Sequence, residues 1–405
     1  MKTNIRIQLS LMMFLQFFVW GAWLVTMWQY LVKINFTAPQ IGNAYSTTGW
    51  AAMISPLFVG MIADRFFSAQ KVLGVIHLLG AAIIYYSTKI VDPGTFFWVM
   101  LAYCLCYMST LPIVNAIAFG QMSDIPKQFG SIRVWGTIGW IASGLFISYT
   151  AQPLFNMPSI EATNIPFKIA AAASVVMAIF SFTLPSTPPN PNAGKVTISD
   201  VLGFKAIQLL KEPSFCVFTI CSFLICIPLA FYYQSAAGFV SAIGIDNPAA
   251  KMTMGQCSEI VFMLVMPFFL TRLGIKKMLC IGMLFWFGRY ALFAYGASQP
   301  LMIYIGIICH GICYDFFFVT GQIYVEQKAD DDIRSSAQGF ITLVTLGCGM
   351  VIGNLINGKV TGNYTSASGV IDWKMIWLIP AAMSLIVAIC FAISFKERPN
   401  LNKRV

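Results

Sequence analysis

Two acidic and two basic residues stand where charge is hardest to carry. Of the fifteen Asp and Glu residues, Glu259 and Asp315 lie deep inside long apolar stretches, and so do Arg133 and Arg289. An ionised side chain near a bilayer centre costs roughly 2.5–3.5 kcal/mol on insertion scales, so groups kept there mark a path for polar solutes or protons. Arg133, Thr137 and Trp140 fall at i, i+4 and i+7 and share one helix face. That face offers a fixed cation, a hydroxyl and an indole: donors for hydroxyls and carbonyls, and a surface for a flat ring. Gln256 and Glu259 fall at i and i+3. The amide can donate and accept; the carboxylate can accept hydroxyls or take a proton. His310 and Tyr314 are one turn apart, with Asp315 next. Burial draws a carboxyl toward its neutral form and a nearby guanidinium draws it toward the charged one, so a carboxyl balanced between them can exchange protons. Each group also has a plainer reading. Arg133 could snorkel to headgroups from the first turn of its helix, Glu259 could be locked in an ion pair with Arg289 or Arg133, and His310 could be hydrogen-bonded within a bundle. Arg289, mid-helix, reads as structural.

The elements that must carry these groups are membrane spans. The 405-residue chain is 58% hydrophobic and 10% charged, with mean hydropathy +0.76. Soluble domains average about 25% charged, and a soluble protein this apolar would expose large sticky patches. Apolar segments long enough to cross a ~30 Å core recur at 8–32, 40–62, 71–90, 95–121, 131–151, 165–184, 213–243, 250–270, 277–296, 300–325, 335–358 and 374–395. The fold class is therefore an all-α membrane protein of twelve transmembrane helices. The first segment lacks a small-residue cleavage site and reads as a span, not a signal.

With both termini inside, the inner loops and tails hold 17 Lys and Arg residues against 6 at the outer edges. This bias sets the orientation and accounts for the net charge of +10 without nucleic acid. Eleven cysteines all fall in apolar stretches, and His77 and His310 are the only histidines. No pairing suits zinc or haem, so no metal or cofactor is expected, the thiols are reduced, and an enzyme is disfavoured.

Pro185 to Gly194 is polar and Pro-rich, a linker. After it, Asp200 to Lys211 suits a short amphipathic helix capped by Ser199. The domains are then 1–184, a linker at 185–212, and 213–405. The halves echo each other. Gly60-Met-Ile-Ala-Asp64-Arg65 follows span two and Thr271-Arg272-Leu-Gly274-Ile-Lys276-Lys277 follows span eight, while Ile132-Arg133 and Ile333-Arg334 open spans five and eleven. Repeated halves are a hallmark of secondary transporters.

The 6+6 layout, with Gly60, Asp64, Arg65 and Lys71 between spans two and three, resembles the major facilitator superfamily, although Phe-Phe follows Arg65 where a Gly is usual. An acid at a helix end there can pair with a neighbouring helix terminus and gate one face; an ordinary polar turn is the plainer reading. More specific are Phe17-Phe18-Val19-Trp20-Gly21-Ala22-Trp23-Leu24, Ile132-Arg133-Val134-Trp135-Gly136-Thr137-Ile138-Gly139, Ser258-Glu259, Arg289-Tyr-Ala-Leu-Phe-Ala-Tyr-Gly296, Tyr314-Asp315-Phe316-Phe317 and Arg334-Ser-Ser-Ala-Gln338-Gly339. Together they resemble the nucleoside:proton symporter family.

The resemblance implies nucleoside import with protons across a bacterial inner membrane by alternating access, both termini cytoplasmic, in a chain expected to be a monomer. It implies nucleoside contacts at Arg133, Thr137, Gln256, Glu259, Tyr314 and Asp315; Glu259 and Asp315, the two acids deep in apolar spans, are the candidates for proton coupling. Trp140 stands where Phe is usual and His310 where Tyr is common. Span seven departs further: the family's polar amides do not align, and Tyr232, Tyr233 or Gln234 are the substitutes on offer. This leaves open transport of another small polar solute such as a sugar, or drug export.

Overall fold

The computed structural model describes residues 1–62, 67–188, 204–330 and 333–396. The long helices are α1 (Thr3–Lys33), α2 (Ala38–Ile62), α3 (Ala69–Ser87), α4 (Pro93–Gly120), α5 (Ile125–Leu145), α6 (Ile165–Ser181) and α7 (Pro213–Ala242). Next come two helices that meet at Gly274, α8 (248–273) and α9 (275–295). Then follow α10 (Pro300–Lys328), α11 (Ser336–Asn363) and α12 (Trp373–Ser394). Among the described residues eight helices, with Pro248–Tyr295 taken as one, are long and apolar enough to cross a membrane.

Local chemistry explains where helices begin. Asp92, Asp124 and Asp372 each accept a backbone N–H from the third residue on, at 2.7, 3.2 and 3.2 Å. These acids serve as N-caps, satisfying donors that have no partner within the helix. The Thr95 backbone N–H, aided by the Thr95 hydroxyl, holds the Asp92 carboxyl below its usual range.

The irregularities are as telling. Spans eight and nine are separate helices, as expected, and helix runs up to both sides of Gly274, whose φ of 70° and ψ of 173° make the turn between them; glycine adopts that backbone without a Cβ clash. α1 breaks after Leu24, and the Tyr45 hydroxyl fills the gap, donating to the Leu24 carbonyl at 2.9 Å and accepting from the Trp28 N–H at 3.1 Å. Wider π turns occupy Phe146–Ala151, Asp315–Val319 and Leu343–Gly349; such turns often mark functional positions.

The chain divides into two compact units: Met1–Val196 with Tyr233–Thr253, and Thr197–Tyr232 with Met254–Val405. The end of α7 and the start of α8 thus pack with the first half of the chain. In the first unit α5 lies against α1 through small residues. A Cβ at Gly139 would fall on the Phe14 carbonyl oxygen, and one at Gly136 would meet Phe17 at 2.7 Å. Such close approach is how helices bind one another where lipid removes the hydrophobic drive. In the second unit Met266, Met278 and Phe316 form the centre of an apolar cluster.

Two sequence expectations fall partly outside the described residues. Gly60 lies in the last turn of α2 and Lys71 is exposed on α3, while Asp64 and Arg65 are not described. Of the amphipathic segment 200–211, Phe204–Lys211 is described and forms a 3-10 helix.

Candidate functional site

In the first unit, α5 begins at Ile125, so Arg133 lies more than two turns inside the helix and not in its first turn. Its guanidinium sits 4.2 Å from the Phe17 ring centroid. Such cation–π contact steadies a charge away from water. Thr137 is buried and Trp140 half-buried on the same helix. Trp140 meets Trp20 edge-on at 5.4 Å, and Trp20 lies 5.5 Å from Tyr107. The result is an aromatic patch beside Arg133, in which the Trp20 indole N–H has no hydrogen-bond partner among the described residues.

A polar chain lies behind this patch. The Tyr107 hydroxyl donates to the Gln16 carbonyl at 2.6 Å, and Gln16 Nε2 donates to Thr110 Oγ1 at 2.6 Å. His77 Nε2 is 2.9 Å from Gln16 Oε1, and His77 Nδ1 is 2.9 Å from Ser174 Oγ. Because the Gln oxygen can only accept, His77 donates to it from Nε2, and the Ser174 hydroxyl, in contact with Nδ1, also lies 3.0 Å from the His77 carbonyl oxygen as a donor. His77 therefore ties α1, α3, α4 and α6 together. On the part of α7 that joins this unit, Tyr233 is half-buried. Gln234 is 1% exposed with neither amide atom hydrogen-bonded among the described residues.

The second unit gathers Gln256, Glu259, His310, Tyr314, Asp315 and Tyr232. α10 touches α8 at Gly311, whose N–H donates to Ser258 Oγ at 2.9 Å. A Cβ at Gly311 would come within 2.7 Å of the Glu259 nitrogen, so its lack of a side chain brings Glu259 next to the His310–Asp315 stretch. Glu259 is half-buried and close enough to Tyr232 and Asp315 to act electrostatically on both. Asp315 opens a π turn, is 0% exposed, and neither of its oxygens has a hydrogen-bond partner among the described residues. The Gln256 oxygen, too, lacks one.

Arg289 is wholly buried. It lies 3.5 Å from the Tyr232 ring centroid and donates from Nε to the Gly306 carbonyl at 3.2 Å. Nη2 is 2.9 Å from His310 Nδ1. A guanidinium only donates, so His310 accepts at Nδ1 and its neutral ring carries the proton on Nε2. His310 stacks on Tyr232 at 5.0 Å and 21°. Arg289 is thus a brace joining α7, α9 and α10, and it fixes the histidine that stands where Tyr is common.

Three groups escaped the sequence reading. Trp20 and Tyr107 were hidden among many aromatics. Gln16, His77 and Asn354 are polar residues in apolar spans that a search for charged groups passes over. Asn354 is 1% exposed with neither amide atom hydrogen-bonded among the described residues. Glu161, buried like Asp315, lies in a connection where hydropathy gives no signal.

Comparison with known proteins is consistent along the whole chain. The family model described as "Nucleoside H+ symporter" matches residues 1–400. The chain is 43% identical to YegT of Escherichia coli (strain K12) over 409 residues, covering 99% of this chain and 95% of that one. It is 33% identical to the nucleoside permease NupG of the same organism, covering 98% and 97%. The crystal structure of the nucleoside transporter NupG superposes with a TM-score of 0.88 at 33% identity, covering 98% of this chain and 100% of that one. These matches are to transporters, over essentially their full lengths. On the sequence motifs, the helical architecture and these full-length matches, the chain belongs to the nucleoside:proton symporter family and has its major facilitator fold.

Proposed function

We propose that this protein imports nucleosides together with protons across a bacterial inner membrane, by alternating access of two six-helix repeats, with both termini in the cytoplasm and as a monomer. The observation that carries the proposal is the family match over residues 1–400. Arg133 and Thr137 donate to ribose hydroxyls or base carbonyls, and Trp140 offers its ring to the base. Gln256 pairs with a base edge, and Tyr233, Gln234, His310 and Tyr314 supply further polar and aromatic contacts. Buried amides without partners, such as Gln234, suit this role, because an unsatisfied buried polar group gains most from a polar ligand.

Glu259 and Asp315 carry the proton coupling. An uncompensated buried charge is expensive, and a proton removes the charge on a carboxyl such as Asp315, which meets no hydrogen-bond donor among the described residues. The carrier must reorient only when proton and nucleoside are both bound or both absent; otherwise protons leak. Gly60, Asp64, Arg65 and Lys71 gate the cytoplasmic face.

The test is a thermal-shift screen of the purified protein against nucleosides, nucleobases and free sugars. A ligand at 100 times its Kd adds about 2.7 kcal/mol of stability. Stabilisation by nucleosides is the expected result; stabilisation by sugars alone overturns the cargo assignment. Competition by uridine or adenosine for uptake supplies the functional counterpart.

A further inference from the structure

We infer that Glu161 and Ser148 form a latch that holds closed the face of the carrier opposite its basic loops. Glu161 lies in the connection between α5 and α6 and is only 2% exposed. One carboxylate oxygen accepts the Ser148 hydroxyl at 2.7 Å, and the other accepts the backbone N–H of Ala249 at 3.0 Å. The same Ser148 oxygen accepts the backbone N–H of Ala250 at 3.0 Å. The first N–H groups of a helix have no partner within it, and two of them at the start of α8 are therefore satisfied by side chains from the region after α5. The helix end also carries partial positive charge, which favours a carboxylate.

The surroundings are built for this contact. The π turn Phe146–Ala151 carries Ser148. Gln152 Nε2 donates to Asn247 Oδ1 at 2.8 Å, and Asn247 makes the left-handed turn, φ 55°, that leads into α8. A Cβ at Gly144 would meet Thr253 at 2.7 Å and the Ala249 carbonyl oxygen at 2.8 Å, so the two segments approach at backbone distance.

By chain order the start of α8 belongs to the second repeat, yet Tyr233–Thr253 packs in one compact unit with residues of the first. A carrier that alternates must part these segments when that face opens. The fastening suits repeated parting, because the hydrogen bonds lie in a connection at the aqueous edge, where water can replace them and the net gain per bond is modest. The inference rests on the transporter reading and not on the nature of the cargo.

The test uses the full-length protein in lipid nanodiscs, without substrate, carrying bioorthogonal spin labels at Leu154 and Asp246, both exposed. Pulsed electron resonance reads the distance between them. The unmodified protein should give a dominant short distance. Ser148→Ala and Glu161→Ala should each shift the population toward a longer distance by about tenfold, the scale of one lost buried hydrogen bond. Distances that stay as in the unmodified protein, with only the melting temperature lowered, would mean a static helix cap and overturn the latch. Should Glu161→Ala fail to fold, Ser148→Ala carries the same test. A wrong cargo leaves these distances unaffected and appears only in the ligand screen.

Discussion

Glu161 and Asp315 are both almost fully buried carboxyls, 2% and 0% exposed, and the protein treats them in opposite ways. Glu161 meets a hydroxyl and a backbone N–H, whereas Asp315 meets no hydrogen-bond donor among the described residues. Burial alone therefore does not assign a role. A carboxylate with donors in place can keep its charge and hold two segments together. One without them has only a proton, or a passing ligand, to relieve it. That is the difference expected between a group that fastens and one that exchanges protons.

The largest test of that contrast is proton-driven accumulation. A potential of ~100 mV supplies ~2.3 kcal/mol per charge moved, or roughly 50-fold accumulation. Asp315→Asn should abolish this gradient-driven excess in vesicles while leaving exchange of bound nucleoside measurable. Glu161→Gln should retain accumulation at an altered rate. Full accumulation by both the Asp315→Asn and the Glu259→Gln proteins would remove the proton role from these carboxyls.

Stability should sort the two sites in the reverse order. Glu161→Ala strands the Ala249 N–H and the Ser148 hydroxyl, at a cost of ~1–3 kcal/mol, visible as a lower melting temperature in detergent. Asp315→Asn removes no hydrogen bond to a described residue and should change stability by less than ~1 kcal/mol.

Acidity offers a finer test. Burial pushes the Glu161 carboxyl above its ordinary value of 4.5, and the bonds from Ser148 and Ala249 offset only part of that rise. An acid whose pKa is raised in the closed form binds its proton more tightly there than when the face is open. The resulting preference for the closed form is complete below the ordinary value and is lost as pH rises through the raised one. The short-distance population of the spin-labelled protein should therefore fall over that window, and Glu161→Gln should flatten the profile. A small effect is also expected from Ser148→Ala on melting, about 1 kcal/mol, because Glu161 keeps the Ala249 N–H.

Much of the architecture was legible beforehand because hydropathy is a local property. The expected segment 213–243 appears as Pro213–Ala242, and 374–395 as Trp373–Ser394. The tightness of the turn at Gly274 was not legible, since polar residues at helix ends and polar residues in a loop leave similar marks. Nor was the depth of Arg133: its helix starts at Ile125, in a polar stretch that hydropathy assigns to a loop. Arg289 was read as structural, and its hold on His310 depends on the packing of α9 against α10.

The sequence by itself determined that the chain is a membrane transporter of this family, and which ionisable groups lie inside its spans. Those properties are written residue by residue, in apolar runs, basic loops and short motifs. Only the tertiary structure decided what each buried carboxyl meets. Glu161 takes its donors from residues 13 and 88 positions away, and no local pattern reports such partners. A buried charge is governed by the few atoms within hydrogen-bonding distance, and folding chooses them.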